Sequence, residues 1–261
     1  MSIIPSAWLE KNSKKIKMVS VALILTFLGG ALPSSTAYTG LAGGVISNSP
    51  TTNSIAAGYF MTATMGTVNE VHTTVTVPKV TCTASESDRA DYIVGLDNPP
   101  ESREGAGISF GCNTGTPTYS GFYVIANAFH YVGTIHPGDN ISATAEFSSS
   151  IGVTIILKDL TQGHSWSMTV TGTDPGATKT DFSWNLVLFP GPTLPKFGTL
   201  LTYADSAIVN NVLHYIGYLS VNSAITTQHV TMQTAPGHRL AYPSFVGGGD
   251  TSFNIIWVAS T

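Results

Sequence analysis

The stretch Asp181-Phe182-Ser183-Trp184-Asn185-Leu186-Val187-Leu188 decides the fold class. Its apolar residues recur at every second position, as do side chains on one face of a strand: Phe182, Trp184, Leu186 and Leu188. The remaining positions are mostly polar: Asp181, Ser183, Asn185 and Val187. The spacing predicts a strand with one face in an apolar core and the other forming the floor of a groove open to water. Pro190-Gly191-Pro192 is expected to end the strand.

The same alternation recurs in several short stretches and predicts further strands: 71–77, 141–147, 153–157 and 166–170. The polar run Lys158 to His164 predicts a hairpin turn between the last two. A final strand is predicted from Ser252 to Ala259. Since no stretch after residue 37 keeps a helical period over three turns, helix should be scarce. The pattern favours two antiparallel sheets packed face to face.

Composition narrows the class of protein. The 261 residues are 43% hydrophobic, enough for the core of one all-β domain. Charged residues make up only 10%, far below the roughly 25% of ordinary soluble domains. The chain has no basic patch, phosphate loop or dinucleotide fingerprint. We therefore expect neither nucleic acid nor a nucleotide as partner.

The N-terminal segment has the order of a secretory signal peptide. Four lysines precede the apolar run Met18 to Leu32, and Ser35-Thr36-Ala37 follows it. We predict a signal peptide over residues 1–37 and a secreted or cell-surface protein without a membrane partner; a retained anchor is the alternative. Removing this segment takes four of the 11 Lys and Arg and one of the 15 Asp and Glu, which leaves a net charge of −7.

The next segment, residues 38–54, is rich in Gly, Ser, Thr and Asn and shows no period of either kind. It is predicted to be a flexible leader or linker. The alternative is that its apolar residues, such as Leu41 and Val45, add an edge strand. The β-sandwich domain is then predicted to cover residues 55–261.

Cys82 and Cys112 are the only cysteines. Because both lie in the exported part, a disulfide closing a loop of about 30 residues is favoured over two buried thiols. With two cysteines and no histidine pair at ligand spacing, no metal and no cofactor are predicted. Asn140-Ile141-Ser142 is a glycosylation sequon.

Six segments occur in the order in which one known family has them: Ala57-Gly58-Tyr59, Val77-Pro78 to Cys82, Ile93-Val94-Gly95-Leu96-Asp97, Ile135 to Ile141, Ile156 to Gly163 and Leu194 to Thr199. Together with the strand around Trp184 they resemble the glutamic peptidases, or eqolisins. The resemblance implies an all-β, concanavalin A-like antiparallel β-sandwich of two packed sheets, with a substrate groove on a bent sheet.

The resemblance also locates the catalytic positions. A glutamic peptidase uses a glutamate just before the Trp as general base and a glutamine to polarise the carbonyl and hold the oxyanion. These positions fall on Ser183 and Gly105, and that of a cleft Trp falls on Ala56. Loss of a general base alone removes a factor of roughly 10²–10⁴ in rate. The sequence therefore predicts a non-catalytic relative.

Two nearby acids leave an alternative open, an acid endopeptidase with a displaced catalytic pair. Asp181 lies two residues before Ser183 on the same strand face, roughly 6.5 Å away. Glu104 adjoins Gly105 but points to the opposite face unless a bulge turns it. The other interpretation makes both solvated surface acids. A Ser-His-Asp hydrolase is disfavoured because no Gly-x-Ser-x-Gly motif is present.

Aromatic residues indicate a ligand. Tyr119, Tyr123, Phe129 and Tyr131 share one parity in a segment that resembles the Tyr-rich strand beside the family's cleft. Such faces bind peptides or polysaccharides, although core packing is the alternative. The predicted substrate groove comprises Tyr59, Gly105, Tyr123, Ser183 and Trp184. A third interpretation is a structural subunit of an extracellular assembly, joined through residues 38–54.

Overall fold

The computed structural model describes residues 51–53, 55–63, 68–98, 102–125, 128–148, 150–170, 181–189, 193–222, 224–235 and 237–260. The predicted signal peptide and residues 38–50 of the predicted leader lie outside these ranges and stay predictions. The described chain forms strands and one short helix: β1 Thr51–Asn53, β2 Ala56–Ala63, β3 Val68–Thr76, β4 Asp88–Asn98, β5 Ser102–Asn113, β6 Thr116–Ile125, β7 Ala128–Thr134, β8 Asn140–Ser148, β9 Gly152–Asp159, β10 His164–Val170, β11 Asp181–Phe189, β12 Thr199–Val209, β13 Val212–Tyr215, α1 Ile216–Val221, β14 Ile225–Ala235, β15 His238–Pro243 and β16 Asn254–Trp257.

The strands form one hydrogen-bonded path, β10-β9-β8-β3-β12-β16-β15-β14-β2-β11-β4-β5-β6-β7, with β13 attached to β12 and β1 to β14. Only β1 pairs in parallel among the described strands. The path folds over so that β4, β5 and β6 face β3, β8 and β9. The β3 layer comprises β10, β9, β8, β3 and β12, and the β11 layer comprises β14, β2, β11, β4, β5, β6 and β7.

The predicted β-sandwich is confirmed, with one difference. Its two layers belong to a single continuous sheet, because β16 pairs with both β12 and β15 and so carries the hydrogen bonding from one layer to the other. Strands of both layers alternate as predicted, and one face of each is buried in the core between them. The indole nitrogen of Trp184 donates to the carbonyl oxygen of His72 at 2.8 Å and links the layers.

Helix is scarce in the described chain, as predicted, since α1 has six residues. No helix among the described residues is long and apolar enough to cross a membrane. The predicted disulfide is confirmed: Cys82, in the segment before β4, is bonded to Cys112 on β5. It ties the loop that enters the β11 layer to the end of its neighbouring strand.

Candidate functional site

Three strands of the β11 layer bring the two positions expected to carry the catalytic pair into one row. Ser183 on β11 lies opposite Gly95 on β4, and Gly95 lies opposite Gly105 on β5. Two strand spacings separate Ser183 from Gly105, about 9–10 Å. Both point away from the core, because Trp184, Val94 and the residues flanking them in register fill it. We call this outward side of the β11 layer the Ser183 face.

The Ser183 face is filled by a second apolar cluster, which consists of Ile93, Phe122, Val124 and Val187, with Phe129 packed against it. Its members stand on β4, β6, β7 and β11, but none stands on β5, whose residues 105 and 107 on this face are glycines. Because these glycines have no side chains, the apolar side chains of the neighbouring strands contact one another over the backbone of β5. The expected floor open to water is wrong, since Ser183 is 1% exposed and Asn185 is 0% exposed.

Asn185 is the neighbour of Ser183 on this face, two residues along β11. Its side-chain amide donates to the Ser183 hydroxyl oxygen at 2.8 Å. Its Oδ1 atom is buried and has no hydrogen-bond partner among the described residues. An unpaired buried acceptor costs about 1–3 kcal/mol, and an N–H donor would recover that energy once the side chains that cover this oxygen move aside.

A carboxylate lies further along the same face, at the far side of the second apolar cluster. Asp91 is 1% exposed, and its Oδ1 lies 3.3 Å from the Nε of Arg89. The Arg89 guanidinium also stacks over the Tyr131 ring, 5.7 Å from its centroid. Burial raises the pKa of Asp91, while the Ser109 hydroxyl and Arg89 oppose that rise. The pair thus joins a buried carboxylate to a guanidinium that is 35% exposed, and apolar side chains separate it from Ser183.

The two acids of the peptidase alternative lie on different sides of the sheet. Asp181 is on the Ser183 face, and the Thr62 hydroxyl donates to its Oδ1 at 2.5 Å. Glu104 has the parity of the core-facing residues of β5, and the β4–β5 register has no bulge that turns it. It is also 1% exposed, so its interpretation as a solvated surface acid is wrong.

Three residues of the predicted groove lie on the core side of the β11 layer. Tyr59 is 3% exposed, and its hydroxyl donates to the Ser244 carbonyl at 2.9 Å; burial raises its pKa. Trp184 is fully buried. Tyr123 packs against the main core. The structure therefore brings Gly105 and Ser183 together on one face and separates them from Tyr59, Tyr123 and Trp184.

The aromatic segment is a hairpin, so its predicted single parity is wrong. β6 ends at Ile125 and β7 begins at Ala128, with these two residues opposite each other. Tyr119 and Tyr123 face the core, whereas Phe129 packs on the second apolar cluster. Of the two residues between the strands, Ala126-Asn127, Asn127 is of a type common in tight turns, and it is the sequence signal by which the reversal could have been found.

One group of described residues has the spacing of metal ligands: Glu86, Asp88 and Cys112. The sulfur of Cys112 is bonded to Cys82, which leaves two carboxyl groups. Burial, and after it the neighbouring Glu86, raise the pKa of Asp88 to about 6. The arrangement supports a carboxyl pair rather than a metal site.

The family model of the Peptidase A4 family matches residues 54–234. Scytalido-glutamic peptidase, solved with a peptide-based transition state analog, is similar in fold: TM-score 0.61, 16% identity, 79% of this chain and 99% of that chain covered. SCP-B, an eqolisin solved with the tripeptide Ala-Ile-His, gives the same four values. Aspergilloglutamic peptidase from Aspergillus niger gives a TM-score of 0.53 at 21% identity, covering 66% and 100% of the two chains. No curated protein sequence matches.

Proposed function

Because this chain belongs to the Peptidase A4 family of glutamic peptidases, we propose that it is an exported, non-catalytic member that binds an extended peptide on the Ser183 face. The row Ser183–Gly95–Gly105 carries the proposal. Peptide hydrolysis by this family's chemistry needs a carboxylate and a side-chain amide at its two ends. A hydroxymethyl group and a hydrogen atom stand there instead.

The second apolar cluster supports the loss of hydrolysis. A general base must reach a water molecule, but Ile93, Phe122, Val124 and Val187 occupy the space around the row. Asp91, the buried carboxylate on the same face, is paired with Arg89 beyond them. Asp181, a partly exposed acid on the same face, accepts a hydrogen bond from the Thr62 hydroxyl and is the residue that the alternative, an acid endopeptidase, would use.

A peptide suits this face better than a polysaccharide. The cluster is apolar, whereas sugars need several polar partners. When the side chains that cover Asn185 move aside, its unpaired Oδ1 can accept one backbone N–H from the peptide. The eqolisin SCP-B was solved with a tripeptide, which is consistent with a peptide ligand for this fold. The disulfide between Cys82 and Cys112 supports export, because such bonds persist in oxidising compartments.

The first test is hydrolysis of an unfolded protein substrate between about pH 2 and pH 7. We expect no cleavage by the purified protein. Cleavage that Asp181→Asn abolishes would instead establish the alternative, an acid endopeptidase, since Asp181 lies on the correct face beside Thr62.

The second test is titration of the protein with extended apolar peptides and, in parallel, with neutral oligosaccharides. We expect saturable peptide binding that Asn185→Leu weakens by about tenfold, the effect of one buried hydrogen bond. Asn210→Ser, on the exposed β12–β13 turn, is the control variant. Binding of oligosaccharides alone, or peptide binding unaffected by Asn185→Leu, would contradict the proposal.

A further inference from the structure

A pocket of about 390 Å³ lies at the end of the sandwich where the two terminal strands of the sheet, β10 and β7, face each other. We call it the edge pocket. The β11 layer contributes Tyr123 and Val132, and the β3 layer contributes Ile155, Leu157, Trp166 and Met168. Met168 is 38% exposed, and the serines on either side of Trp166 are exposed, so the mouth of the pocket opens along β10.

Two glycines shape the edge pocket. Gly121 and Gly133 lie opposite each other on β6 and β7. A Cβ atom at Gly121 would come 2.6 Å from Cδ2 of Leu157, and one at Gly133 would come 2.7 Å from Cζ2 of Trp166. Because both side chains are absent, Leu157 and Trp166 reach the backbone of the opposite layer. Tyr123, stacked on His130 with ring centroids 4.8 Å apart, forms the wall beside them.

The strand at the mouth has an unpaired side. Among the described strands β10 pairs only with β9, where Trp166 lies opposite Leu157 and Met168 opposite Ile155. Within the described part of the chain, its other edge therefore presents backbone N–H and C=O groups without strand partners. Such an edge binds an extended peptide as an added strand, and pockets beside the edge select its alternate side chains.

We propose that an extended peptide binds along the free edge of β10 and places one large apolar side chain in the edge pocket. The volume is near the lower limit of about 300–1,000 Å³ for ligand pockets, which suits one such side chain. The aromatic rings of Tyr123 and Trp166 give flat apolar contact, and the flexible thioether of Met168 adapts to the side chain.

No charged residue of the described chain lines this pocket, so a charged side chain would be bound poorly. A sugar is also disfavoured, because the polar residues of the lining are only Ser165, Ser167 and Tyr123. The pocket lies on the core side of the β11 layer, whereas Ser183 lies on its outward side. This site is therefore independent of the site proposed on the Ser183 face.

The test uses a fluorescent peptide of alternating Thr and Val with one central Phe, titrated into the full mature protein. Replacing the Phe by Ser should weaken binding by roughly tenfold to a hundredfold, the value of one buried aromatic side chain. N-methylation of alternate backbone amides should weaken it at least about tenfold, since the added strand loses its hydrogen bonds. Equal affinity of these three peptides would overturn the proposal.

Two variants on β10 make a matched pair. Met168→Glu places a charge at the mouth of the edge pocket, and Thr169→Glu places the same charge on the other face of the same strand. Both residues are exposed, so both variants should fold, which circular dichroism checks. We expect Met168→Glu to abolish binding of the Phe peptide and Thr169→Glu to leave its affinity within about twofold.

Three other results would also overturn the proposal for the edge pocket. Loss of binding in Asn185→Leu with full binding in Met168→Glu would place the peptide on the Ser183 face and overturn this inference alone. Competition by a neutral oligosaccharide would show that the pocket takes sugars. The protein could also form a dimer that the Met168→Glu substitution dissociates but the added peptide does not. That result would show that the free edge of β10 pairs with a second copy of the chain. Either result would overturn the inference.

Discussion

At Gly105 the backbone of β5 lies close against β4. A Cβ atom there would come 2.3 Å from the carbonyl oxygen of Val94 and 2.9 Å from Cα of Gly95. Backbone atoms cannot turn aside as a flexible side chain does, so any residue other than glycine forces the two strands apart. The catalytic amide of the family is therefore not simply missing at this position, because the present strand spacing has no room for it.

Gly105→Ala should lower the free energy of unfolding by about 1–3 kcal/mol, the usual cost of overpacking. Gly249→Ala is the matched control, since a Cβ atom at Gly249 has no neighbour within 4 Å. Urea denaturation of both variants measures the difference. Equal stabilities would show that β5 moves away from β4 at no cost. The same strain predicts that adding Gln at 105 and Glu at 183 will not restore hydrolysis.

Asn185 shows what the alternation of residues along a strand can predict and what it cannot. The alternation along β11 placed it on the polar side of the strand, and the structure confirms that side. Sequence alone did not identify it as a candidate binding residue, because its unpaired Oδ1 depends on which residues of the neighbouring strands lie opposite it, here Ile93 on β4 and Gly58 on β2.

At the scale of elements, the disulfide fixes the entry to the β11 layer. Cys82 precedes β4, Cys112 ends the buried part of β5, and 30 residues separate them. Between these cysteines lie both strands that carry Gly95 and Gly105. Closing this loop reduces the entropy of the unfolded chain and so favours the folded row.

The Cys82→Ala/Cys112→Ala variant should lose about 3–4 kcal/mol of unfolding free energy in the loop-entropy model. Urea denaturation checks this value, and the natural protein denatured with a reductant should show a similar loss. A variant as stable as the oxidised protein would mean that the reduced chain retains the closed loop when unfolded.

At the scale of the whole molecule, buried carboxyl groups make the stability of the fold depend on pH. Asp205 is fully buried, and Thr73 donates to its Oδ1 at 2.5 Å. The single hydroxyl of Thr202 lies within hydrogen-bond reach of both Asp205 Oδ2 and the Phe253 carbonyl. A hydroxyl has one hydrogen, so Thr202 can donate to only one of these oxygens. Both contacts are hydrogen bonds if Asp205 is protonated and donates to Thr202, while Thr202 donates to the Phe253 carbonyl. Burial accordingly raises the pKa of Asp205 to about 7.

This raised pKa determines whether the free energy of unfolding rises or falls with pH. The folded state keeps the Asp205 proton up to about pH 7, whereas the unfolded chain releases it near pH 4. The stabilisation is therefore complete below about pH 4 and is lost as the pH rises to about 7, by on the order of 4 kcal/mol. Burial of Asp91 and Glu70 acts in the same direction, and the lowered pKa values of His72 and His229 oppose it.

Asp205→Asn isolates this contribution, because its amide donates to Thr202 as the protonated acid does. We expect the variant to match the natural protein near pH 4 and to be more stable near pH 7, measured by urea denaturation at each pH. Asp250→Asn removes a charge at an exposed position and serves as control. A natural protein and an Asp205→Asn variant with parallel pH profiles would show that Asp205 is ionised in the fold.

The sequence by itself determined the all-β class and the core-facing sides of several strands, such as β3, β8, β9 and β11, because alternation is a property of each strand alone. It also determined, through the family resemblance, that Gly105 and Ser183 are the positions to compare. Only the tertiary structure decided that these positions share a row, that apolar side chains fill the space over β5, and that Tyr123 and Trp166 meet in a pocket. Those relations depend on which strands pair and which layers face each other, and a hairpin such as β6–β7 reverses the face that a continuous pattern predicts.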